Sequence, residues 1–203
     1  MNGELLLITG SPRKNGVTAR MSCFAKEAWL EGGGRLSVFD AYSIAPKPCT
    51  HCGHCKTKPS CIYDDLNELD TALKRASALV IASPVYVMGF PAPLKAILDR
   101  MQRYFEEKFT LGNPCPIPLR KPALFLAACG AANNGANGSP AAGSDAPELS
   151  YMKEQLIISF RLMNARLAGT YLMRGTDTLT PDYEQARRDI AALVNEALIT
   201  SMK

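Results

Sequence analysis

Five short apolar runs separated by longer amphipathic segments constrain the fold of this chain more than any other feature of its sequence. The runs have the length of β-strands, whereas the segments between them carry apolar residues at helical spacing. Consecutive strand and helix units predict a parallel sheet with helices on both faces, because each crossover is right-handed and has to cover apolar strands. The predicted strands are 4–9, 36–39, 78–82, 123–128 and 167–173, and the predicted helices are 18–30, 64–75, 91–105, 150–164 and 181–200.

These elements predict a single three-layer α/β domain over residues 1–203, with a cysteine-rich loop at 48–63 inserted after the second strand. A length of 203 residues suits one domain, since domains average roughly 150 residues. Five strands favour the sheet order 2-1-3-4-5, which places a ligand at the carboxyl edge beside strand one, where the winding reverses. We therefore expect chemistry in the loops that follow strands one, three and four.

Composition and charge exclude several classes of function. Hydrophobic residues make up 47% of the chain and the net charge is +4, which is too small for the basic surface that nucleic-acid binding needs. The longest apolar stretches, such as 123–129, fall far short of the roughly 20 residues of a membrane span. The first residues lack the basic and apolar regions of a signal peptide, so we expect a cytoplasmic protein without a nucleic-acid or membrane partner.

The loop at 10–18, between the first strand and the first helix, has the composition of a phosphate site. A helix start offers unpaired N–H groups and the positive end of the helix dipole to an anion. Ser11 and Thr18 add hydroxyl groups, Asn15 adds an amide, and either Arg13 or Lys14 adds a positive charge. The spacing matches neither a Walker loop nor the dinucleotide fingerprint. A plain turn with a helix cap is the alternative, and the position beside the switch point favours the phosphate.

The loop after strand three is apolar and stiffened by proline, and it carries Tyr86, Met88 and Phe90. Apolar and aromatic walls with free backbone amides suit a planar heteroaromatic ligand. The alternative is that the three side chains are core or subunit-contact residues. Further on, residues 130–147 are rich in Gly, Ala, Asn and Ser, and we interpret this stretch as a tolerated flexible insertion rather than a flap or a subunit contact.

Four of the seven cysteines, Cys49, Cys52, Cys55 and Cys61, lie within thirteen positions. This spacing lets one short loop supply all four thiolates to a [4Fe-4S] cluster, and tetrahedral zinc remains open as an alternative. His51 and His54 lie between the cysteines and could replace a ligand, although we expect them to face solvent. The remaining loop cysteine at 115 and the helix cysteine at 23 are expected to behave as small hydrophobic residues.

Two acidic positions next to this loop have a structural interpretation. Asp64 and Asp65 precede a predicted helix, and N-capping explains them better than acid-base catalysis. Asp99 and Arg100 are predicted to form a pair on a helix surface or at an interface.

Taken together, these motifs resemble the NADPH-dependent FMN reductase family of flavodoxin-like proteins, in particular its iron-sulfur flavoprotein branch. The resemblance is carried by Gly10-Ser-Pro-Arg-Lys-Asn-Gly, by Cys-x2-Cys-x2-Cys-x5-Cys-x2-Asp-Asp, by Pro84-Val-Tyr, and by Ala92-x-Leu-Lys-Ala-x2-Asp-Arg. It implies FMN, with its phosphate held by Ser11, Arg13, Asn15, Gly16 and Thr18 and by the backbone N–H of Val17, where many members have asparagine. It places Pro84, Val85, Tyr86, Met88 and Gly89 beside the isoalloxazine, and it implies that the loop beginning at Cys129 and Gly130 closes over the flavin.

The resemblance implies an oxidoreductase that takes hydride from NAD(P)H through bound FMN and passes electrons to a flavin, quinone or protein acceptor. The alternative is a non-enzymatic electron carrier that holds FMN and a [4Fe-4S] cluster. A third possibility is a binding module that zinc stabilises and that has no redox function. Some family members keep similar cysteines without a cluster. Because one face of the flavin would be open to solvent, we also expect a homodimer or homotetramer whose neighbouring subunit helps to cover it.

Overall fold

A computed structural model of the chain describes residues 3–131 and 147–201. The strands within these residues form one parallel sheet with the order β2-β1-β3-β4-β5, which confirms the predicted topology. Each strand covers its predicted apolar run and extends it by no more than two residues at either end. The strands are β1 Glu4–Thr9, β2 Arg35–Asp40, β3 Ala78–Pro84, β4 Lys121–Ala128 and β5 Ala165–Met173.

Successive residues of the buried strands point to opposite faces of the sheet, so each strand contributes to two apolar cores. Leu6 and Ile8 pack in one core, whereas Leu5 and Leu7 pack in the other. All four of these side chains are at most 1% exposed. A continuous apolar run is therefore what a strand needs when helices cover both of its faces.

Helices cover each face of the sheet. Trp29 of the first helix and Ile190 of the last pack in the core that includes Leu5, and the intervening helices pack in the core that includes Leu6. The helices are α1 Val17–Glu31, α2 Ala41–Ile44, α3 Asn67–Arg75, α4 Ala92–Arg100, α5 Gln102–Phe109, α6 Pro147–Leu162 and α7 Tyr183–Ser201.

The prediction of one helix over 91–105 is wrong, because the segment contains two helices that meet at Met101. There the N–H of Met101 donates to Leu98 O at 3.1 Å, and the N–H of Tyr104 donates to Met101 O at 2.9 Å. Each of these bonds spans three residues instead of four, which tightens the backbone and redirects the chain. The short helix α2 and a single 3₁₀ turn at His54–Lys56 were not predicted either.

The carboxyl ends of the central strands are tied together at the edge where a ligand site is expected. Gly10 N donates to Ala82 O at 2.8 Å, and Val85 N donates to Ala128 O at 2.8 Å. A Cβ atom on Gly10 would lie 2.6 Å from the side chain of Leu94, so a glycine is required for α4 to approach β1 this closely. Among the described residues, no helix is long and apolar enough to cross a bilayer. The predicted insertion at 130–147 lies for the greater part outside the described residues.

Candidate functional site

A cavity of about 230 Å³ opens at the carboxyl edge of the sheet, between the loops that follow β1, β3, β4 and β5. Nine of the thirteen residues predicted to bind a cofactor line it: Ser11, Arg13, Gly16, Val17, Thr18, Pro84, Val85, Tyr86 and Gly130. The topology therefore brings the two predicted loops to one place, with a polar wall facing an apolar one.

The polar wall is built around the start of α1. Gly16 occupies the N-cap position, and no side chain caps the helix, so the N–H groups of the first turn have no side-chain acceptor. Ser11 and Thr18 are both buried at this end of the cavity, and Arg13 N donates to Ser11 Oγ at 3.2 Å. Uncapped N–H groups beside two hydroxyls and a guanidinium suit an anion, since the helix dipole adds to their charge.

Arg13, and not Lys14, supplies the positive charge at the cavity. The ammonium group of Lys14 turns away and pairs with Asp40 and with Ser43 Oγ. Asp40 also caps α2 by accepting from Tyr42 N at 2.8 Å. Partial burial raises the pKa of Asp40, but the hydrogen bonds from Lys14, Tyr42 and Ser43 outweigh it and lower the pKa below its usual value.

The other four predicted residues do not line the cavity. Asn15 is exposed, and Met88 and Gly89 lie in a turn at the rim. The thiol of Cys129 is buried in the core, and its backbone N–H donates to Met173 O at 2.8 Å. Cys129 therefore has no backbone donor left for a cofactor.

The loop after β5 contributes Thr176 and Asp177 to the cavity, and sequence reasoning missed both. Backbone hydrogen bonds hold this loop against the one after β4, with Thr176 N donating to Cys129 O at 3.1 Å. A Cβ atom on Gly130 would lie 2.1 Å from Asp177 Oδ2, so Gly130 leaves the space that the carboxylate fills. In the predicted sheet order strand five lies at the far edge, away from the switch point, so the sequence gives no reason to place its loop at the site.

A tight turn at Tyr86–Gly89 forms the rim of the apolar wall. Tyr86 N donates to Gly89 O at 3.0 Å and Gly89 N donates to Tyr86 O at 2.9 Å. The two central residues, Val87 and Met88, have φ angles of +49° and +60°. Turns with two left-handed central residues favour Asn-Gly, and a β-branched valine is strained there. Strain of this kind clusters at ligand sites.

Replacing Val87 and Met88 by Asn and Gly is expected to raise the free energy of unfolding by about 1–2 kcal/mol, because each left-handed L-residue costs about 1 kcal/mol. The measurement is urea unfolding of the double variant against wild type. Leu119→Asn, which also places a polar residue at an exposed apolar position but without a positive φ, is the control. A double variant no more stable than wild type, compared with it in the same oligomeric state, would show that the turn is not strained.

A second pocket, of about 40 Å³, lies between the cysteine loop and the helices α4 and α5. Cys49, Cys52, Cys55 and Cys61 all line it, as do His51 and His54. His51 is exposed, as predicted, whereas His54 is partly buried and its Nε2 lies 3.2 Å from Ser60 Oγ. Topology thus brings the four predicted metal ligands to the wall of one pocket.

Thiolates are soft ligands, and a set of four suits either an iron-sulfur cluster or zinc. Within the described residues, no three His, Cys, Asp or Glu side chains converge closely enough to hold one metal ion. Partial burial, together with the nearby charges of Glu106, Cys49 and Cys52, raises the pKa of the Cys55 thiol. Ligation of a metal by Cys55 therefore has to displace the proton of its thiol.

Two structural predictions around this loop are wrong. Asp64 and Asp65 do not cap α3, which begins at Asn67 without a side-chain cap. Instead Asp65 accepts hydrogen bonds from Lys47 N at 2.8 Å and from the guanidinium of Arg100. Arg100 is only 3% exposed and is not on the helix surface, although Asp99 is exposed and pairs with Lys95 at 2.5 Å.

The isolated cysteines at 23 and 115 also differ from expectation, since both are exposed rather than buried as small hydrophobic residues. Cys23 lies on α1, and the thiol of Cys115 donates to Ile117 O at 3.3 Å. Neither lines either of the two pockets described above.

The sheet order, with a cavity where the winding reverses, defines a flavodoxin-like α/β protein. Residues 4–146 match the NADPH-dependent FMN reductase family, and the chain belongs to that family. This confirms the family suggested by the sequence motifs.

Related proteins support the branch as well as the family. The chain is 32% identical over 107 residues to an iron-sulfur flavoprotein of Methanosarcina thermophila, a match that covers 52% of this chain and 56% of that protein. It is 35% identical over 98 residues to an iron-sulfur flavoprotein of Archaeoglobus fulgidus, covering 48% of this chain and 44% of that protein. The chain thus matches about half the length of these curated relatives.

Solved structures share the fold over nearly the whole chain. An NAD(P)H:quinone oxidoreductase from Methanothermobacter marburgensis matches 98% of this chain and 95% of its own, with a TM-score of 0.63 and 16% identity. An FMN-dependent NADH-azoreductase from Bacillus anthracis, in complex with FMN, matches 97% of this chain and 99% of its own, with a TM-score of 0.64 and 14% identity. At these identities the likeness establishes the fold.

Proposed function

We propose that this chain is an FMN-dependent oxidoreductase that takes hydride from NAD(P)H and passes electrons to an acceptor. The observation that carries the proposal is the uncapped start of α1, which faces the apolar Pro84–Tyr86 wall across one cavity with Ser11, Arg13 and Thr18 at its polar end. An anion site joined to an apolar slot is the arrangement that a flavin mononucleotide needs. Membership of the FMN reductase family supports the same ligand.

Different residues of the cavity bind the phosphate and the ring system of FMN. Ser11, Arg13 and the first turn of α1 hold the phosphate, and the backbone of the 84–86 segment lies beside the ring system. The chemistry that FMN supplies when bound is acceptance of hydride from a reduced nicotinamide and release of electrons. The exposed rim at Tyr86–Gly89 leaves one side of the cavity open to a second ligand. No nucleophile or acid-base pair is required from the protein.

We propose further that the cysteine loop holds a [4Fe-4S] cluster through Cys49, Cys52, Cys55 and Cys61. In such a cluster each thiolate binds a different iron, so the four sulfurs need to surround a pocket and not to meet at one point. A single zinc ion instead requires four donors at about 2.3 Å from one atom. The relatives named iron-sulfur flavoprotein support the cluster over zinc, and the four thiols share the wall of one pocket.

Anaerobic purification followed by an absorption spectrum and by assays for iron, sulfide and zinc tests both cofactors. We expect stoichiometric flavin together with iron and sulfide, and no zinc. Steady-state oxidation of NADH and NADPH then separates the enzyme from a non-enzymatic electron carrier, since a flavin-loaded carrier shows no turnover. A colourless, zinc-containing protein would contradict the whole proposal.

Cys61→Ser is expected to abolish sulfide and bound iron while leaving flavin binding unchanged, because a hydroxyl is a far poorer ligand than a thiolate for iron in a cluster. Cys115→Ser is the matched control, since it removes a thiol that lies outside the cysteine pocket. Equal iron content in the two variants would show that the loop is not the metal site.

We also propose that a second copy of the chain covers the rim of the cavity. Val87 is fully exposed, and Tyr86 and Met88 are 43% and 42% exposed at the same turn. Apolar side chains grouped beside an open cofactor site are typical of a subunit contact. Light scattering should find a dimer or tetramer, and a Val87→Asp variant should shift it towards the monomer.

A further inference from the structure

The cysteine loop leaves the domain and returns to it at a stem that one side chain holds closed. Arg100, at the end of α4, donates from Nη1 to Lys47 O at 3.4 Å and from Nη2 to Tyr63 O at 3.0 Å. The same guanidinium pairs with Asp65, which also accepts from Lys47 N at 2.8 Å. Residues on both sides of the four cysteines are thus tied to one another through Arg100.

The side chain of Arg100 is almost completely buried. Its side chain is 2% exposed and lines the pocket that the four cysteines share. Both Nη groups have acceptors, but Nε is buried without a hydrogen-bond partner. A buried N–H donor without an acceptor destabilises a protein, so the burial of this Nε–H points to an acceptor outside the described residues.

Of the three other Lys, Arg and Glu side chains that line this pocket, two have partners of their own and the third is exposed. Arg103 donates to Asp70 and to Tyr104, and Glu106 accepts from Gln102 at 3.1 Å and from Thr110. Lys56 is exposed on the 3₁₀ turn. Arg100 is therefore the described side chain on this pocket that combines deep burial, positive charge and a spare donor.

We propose that Arg100 is a positioning residue for the cluster: its Nη groups close the stem of the cysteine loop, and its Nε–H donates a hydrogen bond to a cluster-bound sulfur. This inference rests on the proposed [4Fe-4S] site. A hydrogen bond to sulfur and a nearby positive charge both stabilise the more negative, reduced state of a cluster. Arg100 accordingly raises the reduction potential of the cluster, and it also helps the loop to retain the cluster iron.

Three variants of the flavin-loaded, cluster-loaded protein separate these two roles. Arg100→Gln removes the positive charge and the two Nη groups that bind Lys47 O and Tyr63 O. Arg100→Lys keeps the charge but loses Nε. Asp65→Asn removes the carboxylate that offsets the charge of Arg100. Lys95→Gln, which removes an exposed positive charge from the same helix, is the control. The measurements are the midpoint potential from an EPR-monitored redox titration and the loss of iron to a chelator.

Opposite shifts are expected from the two charge changes. Arg100→Gln and Arg100→Lys should move the midpoint to more negative potential, whereas Asp65→Asn should move it to more positive potential, because Arg100 is then less compensated. Removing an outer-shell partner should also weaken iron retention by about 10- to 100-fold in Arg100→Gln. Lys95→Gln should leave both quantities unchanged.

If the variants only loosened the stem, the midpoint potentials of Arg100→Gln and Asp65→Asn would shift in the same direction. That result would overturn the proposal that Arg100 acts on the cluster through its hydrogen bond and its charge. Midpoints and iron retention equal to wild type in a cluster-bearing protein would overturn the inference and leave the proposed function intact. A wild-type protein that binds no iron and sulfide after anaerobic reconstitution would overturn both.

Discussion

A protein that carries Ser11→Ala and Arg13→Ala together is expected to bind FMN about 100-fold more weakly than wild type. Hydrogen bonds to a charged group contribute about 1.5–3 kcal/mol each, and exposure of Arg13 to solvent places its contribution at the lower end of that range. A combined loss of about 3 kcal/mol corresponds to about 100-fold in affinity. The backbone N–H groups at the start of α1 remain, so binding should weaken without being lost.

Riboflavin distinguishes a phosphate contact from a general disturbance of the cavity, because it has the same ring system and lacks the phosphate. The double variant should bind riboflavin as wild type does, as measured by quenching of flavin fluorescence. Lys14→Gln is the matched control: it removes a positive charge from the adjacent position, where the ammonium pairs with Asp40 and not with the cavity. Equal losses for FMN and riboflavin, or a Lys14→Gln variant as weak as the double variant, would refute the phosphate site.

The sheet and its switch point could be predicted because their signals lie within each segment. Leu5 to Ile8 is apolar at every position since both faces of β1 are covered, and this pattern is visible without knowledge of any contact. The order of the strands follows from their number and their right-handed crossovers. The loop at 10–18 could then be placed at the ligand edge by topology alone.

What could not be predicted depends on contacts between distant segments. The carboxylate of Asp65 looks like a helix cap in sequence, and it is the approach of Arg100, 35 positions further along, that gives it another role. Asp177 enters the cavity because the loop after β5 is hydrogen-bonded to Cys129 and Gly130. The break at Met101 likewise occurs without a glycine or proline in the sequence to signal it. No local periodicity reports on any of these contacts.

Lys121→Met is expected to make the protein more stable at neutral pH by about 2 kcal/mol. Lys121 begins β4, is 1% exposed, and donates from Nζ to Leu73 O in the last turn of α3. Burial lowers the pKa of this ammonium from 10.5 to about 8, with a smaller opposing effect from Cys115. A pKa lowered from 10.5 to about 8 means that the charged form costs about 3 kcal/mol in the folded state. The variant removes this cost but also loses the hydrogen bond to Leu73 O, which reduces its gain in stability by about 1 kcal/mol.

The sign of the pH dependence follows from proton counting. Below pH 8 Lys121 is protonated in both the folded and the unfolded chain, and the folded state is destabilised by the full cost of burying the charged ammonium. Between about pH 8 and 10.5 the unfolded chain binds the extra proton, so the free energy of unfolding of wild type rises with pH relative to that of Lys121→Met. The advantage of the variant should therefore shrink through this window and be gone by about pH 10.5.

Urea unfolding of wild type and Lys121→Met from pH 7 to 10.5 measures this difference directly. Tyr104 and Tyr171, whose pKa values burial raises to about 12, titrate in both proteins, so their effect cancels in the comparison. Lys95→Met makes the same chemical change at an exposed position and is the control for the loss of a lysine. A constant difference between wild type and Lys121→Met across the range would mean that this ammonium keeps its proton in the folded core, with Leu73 O compensating for the water it has lost.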